Sequence, residues 1–312
     1  MRVGLVDVDG HNYPNLAVMK LSAWHKARGD KVEWYYPING HYDRVYLSKV
    51  FSSSPDYDFC IDADEVIRGG TGYAITLENG RERFNKEKDT PLPSEIEHTM
   101  PDYSMYGITD TAFGFLTRGC PRGCGFCHVA RKEGQRSRKV ADLSEFWNGQ
   151  KNIELLDPNI LACREWSDLL AQLEDSKASV NFNQGLDIRL MTEDRAEAVG
   201  RVKVKRIHFA WDRYGDKDEI VPRLETFRER TGMGRDRIVV YLLCNYDTTF
   251  EQDLERVYKV REIGFSPYVM LYDKEHIPKK HRLLRLQRWC NNNIIFNSCP
   301  TFEDYDPAWG RR

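Results

Sequence analysis

The stretch from Leu116 to Val129, LTRGCPRGCGFCHV, places three cysteines within eight residues, at Cys120, Cys124 and Cys127. Cysteine thiolates are soft ligands that select iron–sulfur clusters or zinc. A C-x3-C-x2-C loop supplies three such ligands, so a fourth metal position has no protein ligand from the same loop. The stretch therefore predicts a metal site that is open to a further ligand.

The cysteine spacing, the aromatic Phe126 before the last cysteine and the strand-like FGFLT segment upstream resemble the radical S-adenosylmethionine (radical SAM) superfamily. The resemblance covers roughly residues 111–275. It implies that Cys120, Cys124 and Cys127 hold a [4Fe-4S] cluster whose fourth iron is chelated by the amino and carboxylate groups of S-adenosylmethionine (SAM). It also implies an electron donor such as flavodoxin or ferredoxin.

A structural zinc site formed by the same cysteines and His128 is the alternative. A closed zinc site usually draws its ligands from two separated pairs, and the chain has no second C-x2-C pair and no H-x3-H pair. The sequence therefore favours the cluster over zinc.

The composition narrows the class of protein. Lys and Arg total 46 against 48 Asp and Glu, a formal net charge of -2, which excludes a strong overall attraction to nucleic acid or to an anionic membrane. The N-terminal MRVGLVDVDG lacks a signal-peptide pattern and no apolar run approaches spanning length, so we expect a cytoplasmic protein without a membrane partner. The cysteines outside the loop are scattered, which indicates a reducing compartment. They are Cys60, Cys163, Cys244, Cys290 and Cys299.

Residues 1–77 predict a small Rossmann-like β-α-β-α-β domain with a parallel sheet. The expected elements are a strand over 2–7, a helix over 16–28 with Asn15 as N-cap, a strand over Val32–Tyr36, a helix over Asp43–Phe51 and a strand over Phe59–Ile61. The domain resembles a shortened form of the cobalamin-binding domain of cobalamin-type radical SAM proteins. Asp9 and His11 match the start of its D-x-H-x-x-G signature, but Pro14 occupies the glycine position. We therefore expect a domain without cobalamin, in which His11 makes only local contacts.

A charged, proline-containing linker is expected over 78–110, and strands alternate with amphipathic helices over 111–275. This alternation predicts a parallel sheet, and the six strands fit the partial (β/α)6 barrel that the resemblance implies. A C-terminal helical extension is expected over 276–312. The expected strands are Phe113–Thr117, Asn152–Leu156, Ser179–Asn183, Arg206–Trp211, Ile238–Leu243 and Pro267–Tyr272.

Functional groups of such barrels lie at the carboxyl ends of the strands. Asp157 and Asn159 follow the second strand, where many family members carry a Gly-Gly-Glu segment for the methionine ammonium; an Asx turn is the structural alternative. After the third strand, NQGLDIRL offers Gln184, Asp187 and Arg189. An arginine there could bind the methionine carboxylate bidentately, or the Arg–Asp pair could simply tie two loops together.

Asp212, after the fourth strand, resembles the family's ribose contact. Cys244, at the end of the fifth strand, and Cys163 are candidate hydrogen-atom donors, although free cysteine is commonly a buried packing residue. Two basic patches could neutralise phosphates of a nucleic acid or nucleotide substrate, or could be solvated faces. They comprise Arg131, Lys132, Arg136, Arg138 and Lys139, and Lys279, Lys280, Arg282, Arg285 and Arg288.

The resemblance implies an enzyme that cleaves SAM reductively to a 5′-deoxyadenosyl radical, which abstracts hydrogen from an unidentified substrate. A cobalamin-dependent radical SAM methyltransferase is the second enzyme hypothesis. A non-catalytic zinc or iron–sulfur binding module is the alternative outside the enzymes.

Overall fold

The computed structural model describes residues 1–78 and 81–308. The strands are β1 Arg2–Asp7, β2 Lys31–Trp34, β3 Tyr42–Ser48, β4 Ala63–Gly69, β5 Ile75–Glu78, β6 Arg81–Phe84, β7 Thr111–Gly114, β8 Thr117–Arg118, β9 Arg138–Lys139, β10 Asn152–Leu155, β11 Ser179–Phe182, β12 Val204–Ala210, β13 Ile238–Cys244 and β14 Ser266–Leu271. The helices are α1 Leu16–Ala27, α2 Thr71–Ala74, α3 Ser94–Glu97, α4 Val129–Glu133, α5 Trp166–Ser176, α6 Glu193–Arg201, α7 Lys217–Thr231, α8 Phe250–Ile263, α9 Arg282–Asn291 and α10 Asn293–Ser298.

The chain divides into two compact units, Met1–Glu154 and Leu155–Arg312. The first contains a four-stranded parallel sheet in the order β2-β1-β3-β4. The prediction for α1 is confirmed, because the Asn15 side chain accepts hydrogen bonds from the N–H groups of Ala17 and Val18, as an N-cap does.

Two elements of this sheet differ from the prediction. Residues 43–51 were expected to be helical, but β3 occupies most of this range. Tyr42, Val45 and Leu47 of β3 are buried in one apolar cluster, and aromatic and β-branched residues suit a strand that packs between two neighbours. The expected strand at Phe59–Ile61 is also wrong, since Phe59 is 74% exposed and the fourth strand begins at Ala63. The chain order is therefore β-α-β-β-β.

The expected linker over 78–110 contains regular structure. The antiparallel hairpin β5–β6 pairs Ile75 with Phe84. Helix α3 places Ile96 in the apolar core beneath β1 and α1, with Val3 and Val18. Much of this segment is therefore built into the first unit.

The larger sheet has the strand order β14-β13-β12-β11-β10-β7, and the strands from β11 to β14 pair in parallel. Five of these strands lie within two residues of the predicted bounds, and β7 ends at Gly114, three residues before the predicted end at Thr117. One face of β13 is fully buried, and Phe209 of β12 packs against Phe227 of α7 with ring centroids 5.0 Å apart. The mixed α/β class with parallel sheets is thus confirmed. Within the described residues, every helix is too short or too polar for a membrane span.

Candidate functional site

The cysteine loop, residues 119–137, is closed at its base by a short hairpin. Strands β8 and β9 pair antiparallel, with Thr117 opposite Lys139 and Arg118 opposite Arg138. The Cys120 N–H donates to the Gly134 carbonyl oxygen at 3.1 Å. The two ends of the loop are therefore held side by side by backbone contacts.

Gly119 is required at the base of this loop. Its φ of +90° lies in the left-handed region, and a Cβ atom there would be 2.3 Å from the Arg136 carbonyl oxygen. A side chain would meet backbone atoms that cannot move aside, so only glycine fits.

Charged side chains fix the same base. The Arg118 guanidinium donates to Glu133 Oε1 at 3.0 Å, and the Gly119 N–H donates to Glu133 Oε2 at 3.2 Å. Arg118 also donates to Glu97 Oε1 at 3.1 Å. These contacts link the two sides of the loop to each other and to α3.

The three loop cysteines form no disulfide and are partly buried, whereas the cysteines of the second unit are buried. No group of three His, Cys, Asp or Glu side chains among residues 1–78 and 81–308 is arranged around a common metal position. The donor set nevertheless fits an iron–sulfur cluster, because three thiols on one short, partly accessible loop are the ligands such a cluster takes.

His128 follows the last loop cysteine. Its Nε2 lies 3.5 Å from a Glu82 carboxylate oxygen. Its Nδ1 is buried and has no hydrogen-bond partner within the described part of the chain. One ring nitrogen of the residue that follows Cys127 is thus without a hydrogen-bond partner in the described chain, which keeps the zinc alternative open.

In the second unit, three of the predicted strand-end residues lie together. Asp187 Oδ1 accepts from Arg189 Nε at 2.8 Å, and Asp187 Oδ2 lies 3.4 Å from Asn159 Nδ2. Arg189 Nη1 is also 3.5 Å from a carboxylate oxygen of Asp216. Arg189 thus lies between two carboxylates, as expected for a tie between loops.

Asp212 belongs to the same group of charges. Burial raises the pKa of Asp212, while the nearby guanidinium groups of Arg189 and Arg256 oppose this rise. Asp187 and Asp216 act in the same direction as burial. The side chain of Asp212 is therefore a weaker acid than a solvated aspartate and a good hydrogen-bonding group.

The remaining predicted site residues differ from one another in burial and in contacts. Asp157 is buried, 4% exposed, two residues after the end of β10, whereas Gln184 is exposed. Cys244 is 0% exposed; burial raises the pKa of its thiol, which contacts the Leu242 carbonyl oxygen at 3.5 Å. Cys163 lies 3.1 Å from a Glu165 carboxylate oxygen. The packing of Cys244 is that of an interior residue.

Sequence reasoning missed two elements of this group, Asp216 and the buried pair Asp253–Arg256. Arg256 donates to the carbonyl oxygens of Trp211 and Leu243, at 2.5 and 2.8 Å. These two carbonyls lie at the carboxyl ends of neighbouring strands, so Arg256 braces the strand ends that carry Asp212. The sequence contains a signal for this pair, because Asp253 and Arg256 lie on the same buried face of α8 as Val257 and Val260.

His11 makes local aromatic contacts in the first unit. Its ring stacks on Trp34 at 4.2 Å and meets Tyr106 edge-on at 5.9 Å. An open cleft beside Trp34 is lined by none of the predicted site residues. The lining residues are Lys26, Glu33, Trp34, Tyr36, Asn39, Ser104 and Met105.

Several residues of the two basic patches bind within the chain. Lys132 donates to the Thr71 hydroxyl, and Lys139 pairs with Asp142 at 2.5 Å. Arg285 and Arg288 donate to backbone carbonyl oxygens of the C-terminal segment. These side chains are used in packing, and a nucleic acid partner stays a prediction.

No protein-family model matches the chain, and no curated protein matches it. Among solved structures the chain is similar to SuiB of Streptococcus suis. With SuiB bound to the precursor peptide SuiA, the TM-score is 0.42 at 14% identity, over 60% of this chain and 45% of SuiB. With SuiB alone it is 0.41 at 15% identity, over 60% and 46%. The chain spans less than half of the length of SuiB.

Proposed function

We propose that this chain is a radical SAM enzyme in which Cys120, Cys124 and Cys127 hold a [4Fe-4S] cluster. The observation that carries the proposal is the cysteine loop: three partly buried thiols in C-x3-C-x2-C spacing on a loop whose base is fixed by backbone and charge contacts. When bound, such a cluster supplies the electron that cleaves SAM to a 5′-deoxyadenosyl radical, which then takes hydrogen from the substrate.

The protein's own part is to hold ligands and exclude water. In the second unit we assign SAM recognition to the strand-end group of Asn159, Asp187, Arg189 and Asp212, with Asp157 and Gln184 beside it in sequence. The Arg189 guanidinium is the group for the methionine carboxylate, and the Asp212 carboxyl is the acceptor for ribose hydroxyls. The separations of 2.8 Å between Asp187 and Arg189 and 3.4 Å between Asp187 and Asn159 support this assignment, and the charge of Arg189 acts on the pKa of Asp212.

Metal analysis and a product assay test the proposal. Anaerobically reconstituted protein should bind about four irons and release 5′-deoxyadenosine from SAM in the presence of a reductant. Alanine at Cys120, Cys124 or Cys127 should abolish both, whereas Cys60→Ala, which changes an exposed cysteine outside the loop, should leave both intact. Stoichiometric zinc without iron, in protein made under iron-replete anaerobic conditions, would refute the proposal.

Calorimetry tests the assignment of Arg189. Removing the partner of a buried ligand charge costs about 2–5 kcal/mol, so Arg189→Ala should weaken SAM binding by that amount at normal iron content. If Arg189 serves only as a tie between loops, the variant should lose thermal stability and keep its SAM affinity.

The second candidate is a Cys3His zinc site, favoured by the unpartnered, buried Nδ1 of His128. In that case zinc should bind at one equivalent and His128→Ala should weaken it, whereas cluster binding should tolerate this change. A His128-dependent zinc affinity that exceeds the affinity for iron would promote the binding-module hypothesis. A spectral shift of hydroxocobalamin that depends on His11 would promote the methyltransferase instead.

A further inference from the structure

A row of charged side chains runs from helix α1 through α3 to the cysteine loop. Lys20 of α1 donates to the backbone carbonyl of Glu97, and its Nζ lies 3.2 Å from Glu97 Oε1. The same Oε1 accepts from Arg118 at 3.1 Å, and Arg118 donates to Glu133 at 3.0 Å. Glu133 completes the row by accepting the N–H of Gly119. All members lie within the first unit, and we call them the charged row.

The charged row is well anchored and mostly shielded. The side chains of Lys20 and Glu133 are each 11% exposed. Burial raises the pKa of Glu97, but Lys20 and Arg118 outweigh this and lower it, so Glu97 is ionised between two cations. Ile96, the neighbour of Glu97, is 4% exposed in the core formed with Val3 and Leu5 of β1. The position of Glu97 is thus set by the packing of the N-terminal sheet.

A second link runs in parallel. Lys132, in the helix that follows the loop cysteines, donates to the Thr71 hydroxyl of α2. Burial lowers the pKa of Lys132, as expected for an amine in a mostly enclosed position. The loop is therefore joined to the N-terminal segment from both of its sides.

We propose that helices α1 and α3, which pack on the N-terminal sheet, brace the cysteine loop, and that the charged row sets how firmly the loop holds its metal group. The brace rests on the contacts above, whereas its effect on metal retention rests on the proposed function. When a residue that positions metal ligands without binding the metal is replaced, the metal affinity typically changes 10–100-fold. A domain that in sequence resembles a cofactor-binding module thereby acts as a support.

The test uses Lys20→Met and Glu97→Leu, with Lys26→Met as the matched control. Lys26 is on the same helix and forms an ion pair of 2.6 Å with Asp102, but it is not part of the charged row. In metal-free full-length protein, amide hydrogen exchange over residues 119–134 should become at least about tenfold faster in the two test variants. It should stay at the wild-type rate in the control. Exchange over β3 of the same unit, Tyr42–Ser48, is the reference that separates a loosened loop from unfolding of the first unit.

In reconstituted protein, the rate of iron loss to a chelator should rise about tenfold in the test variants and stay unchanged in Lys26→Met. Equal loop exchange in Glu97→Leu and Lys26→Met would overturn the brace. Faster exchange with an unchanged rate of iron loss would overturn its role in metal retention. Wild-type protein that takes up no iron would refute the proposed function and with it the role in retention, while the exchange data would still decide the brace.

Discussion

Replacing Arg256 by leucine tests how the strand ends of the second unit are held. Arg256 is 0% and Asp253 1% exposed, and Arg256 Nη2 lies 2.5 Å from Asp253 Oδ1. The guanidinium also donates to the carbonyl oxygens of Trp211 and Leu243. The substitution therefore removes both a buried counter-charge and the donors of two strand-end carbonyls.

The size of the effect follows from burial. Breaking a buried pair by removing one partner leaves an uncompensated charge and costs about 3–5 kcal/mol, so Arg256→Leu should lower the free energy of unfolding by that amount. The matched control is Arg201→Leu, which removes an ion pair with Glu174 whose side chains are 58% and 30% exposed. Exposed pairs contribute about 0–1 kcal/mol, and the control should lose no more.

The double variant Arg256→Leu, Asp253→Leu separates the charge from the hydrogen bonds. Replacing a buried pair by apolar residues is often neutral or stabilising, and Asp253 Oδ2 and Arg256 Nε lack partners in the described chain even in the native pair. The double variant should therefore recover part of the loss, and the unmet carbonyls should retain about 1–3 kcal/mol of it. Urea denaturation followed by circular dichroism measures all four proteins. A single variant within about 1 kcal/mol of wild type, or a double variant less stable than the single, would refute the reasoning.

Three further predictions concern other parts of the chain. Burial lowers the pKa of His25 despite its hydrogen bond to Asp30. The unfolded chain therefore binds a proton more readily than the folded chain, and the free energy of unfolding should fall as the pH drops through and below about 6.5. Between pH 7.5 and pH 5.5, His25→Gln should lose less of this free energy than the wild type. Gly119→Ala should cost more than about 1 kcal/mol, measured by thermal melting, because of the positive φ and the backbone contact. Burial raises the pKa of Cys290 to about 12, so alkylation at pH 8 followed by mass spectrometry should modify exposed Cys60 and spare Cys290 until denaturant is added.

The strands of the larger sheet could be predicted because each is an apolar run bounded by helix signals. Val204–Ala210 and Ile238–Cys244 are examples, each within two residues of the expected position. The segment over 43–51 was wrongly predicted to be a helix, because its apolar residues at 45, 46, 47 and 50 fit a helical period as well as a strand. The segment is a strand because it pairs with β1 and β4 in the sheet, and this pairing is tertiary structure that the local sequence does not specify.

The candidate site likewise has features that are local in sequence and features that depend on tertiary packing. The cysteine spacing and the pair Asp187–Arg189 are local in sequence, and both could be found from it. Asp216 lies far along the chain from Arg189, and only the packing of loops brings them to 3.5 Å. The charged row likewise links Lys20 to Glu133 through Glu97 and Arg118. No periodic pattern in the sequence predicts these contacts.

The charges around Arg189 bear on which part of SAM the second unit would receive. Asp187 and Asp216 already share the Arg189 guanidinium, so an incoming carboxylate must displace one of them or share the cation with both. SAM also carries an ammonium and a sulfonium, and carboxylates attract these groups, most strongly where water is excluded. Burial raises the pKa of Asp212, although the guanidinium groups of Arg189 and Arg256 oppose this rise. The Asp212 carboxylate therefore gains a counter-charge when a cation binds beside it. The charge balance thus adds the SAM ammonium as a partner for these carboxylates to the proposed contact between Arg189 and the methionine carboxylate, and calorimetry should show a loss of SAM affinity for Asp212→Asn as well as for Arg189→Ala.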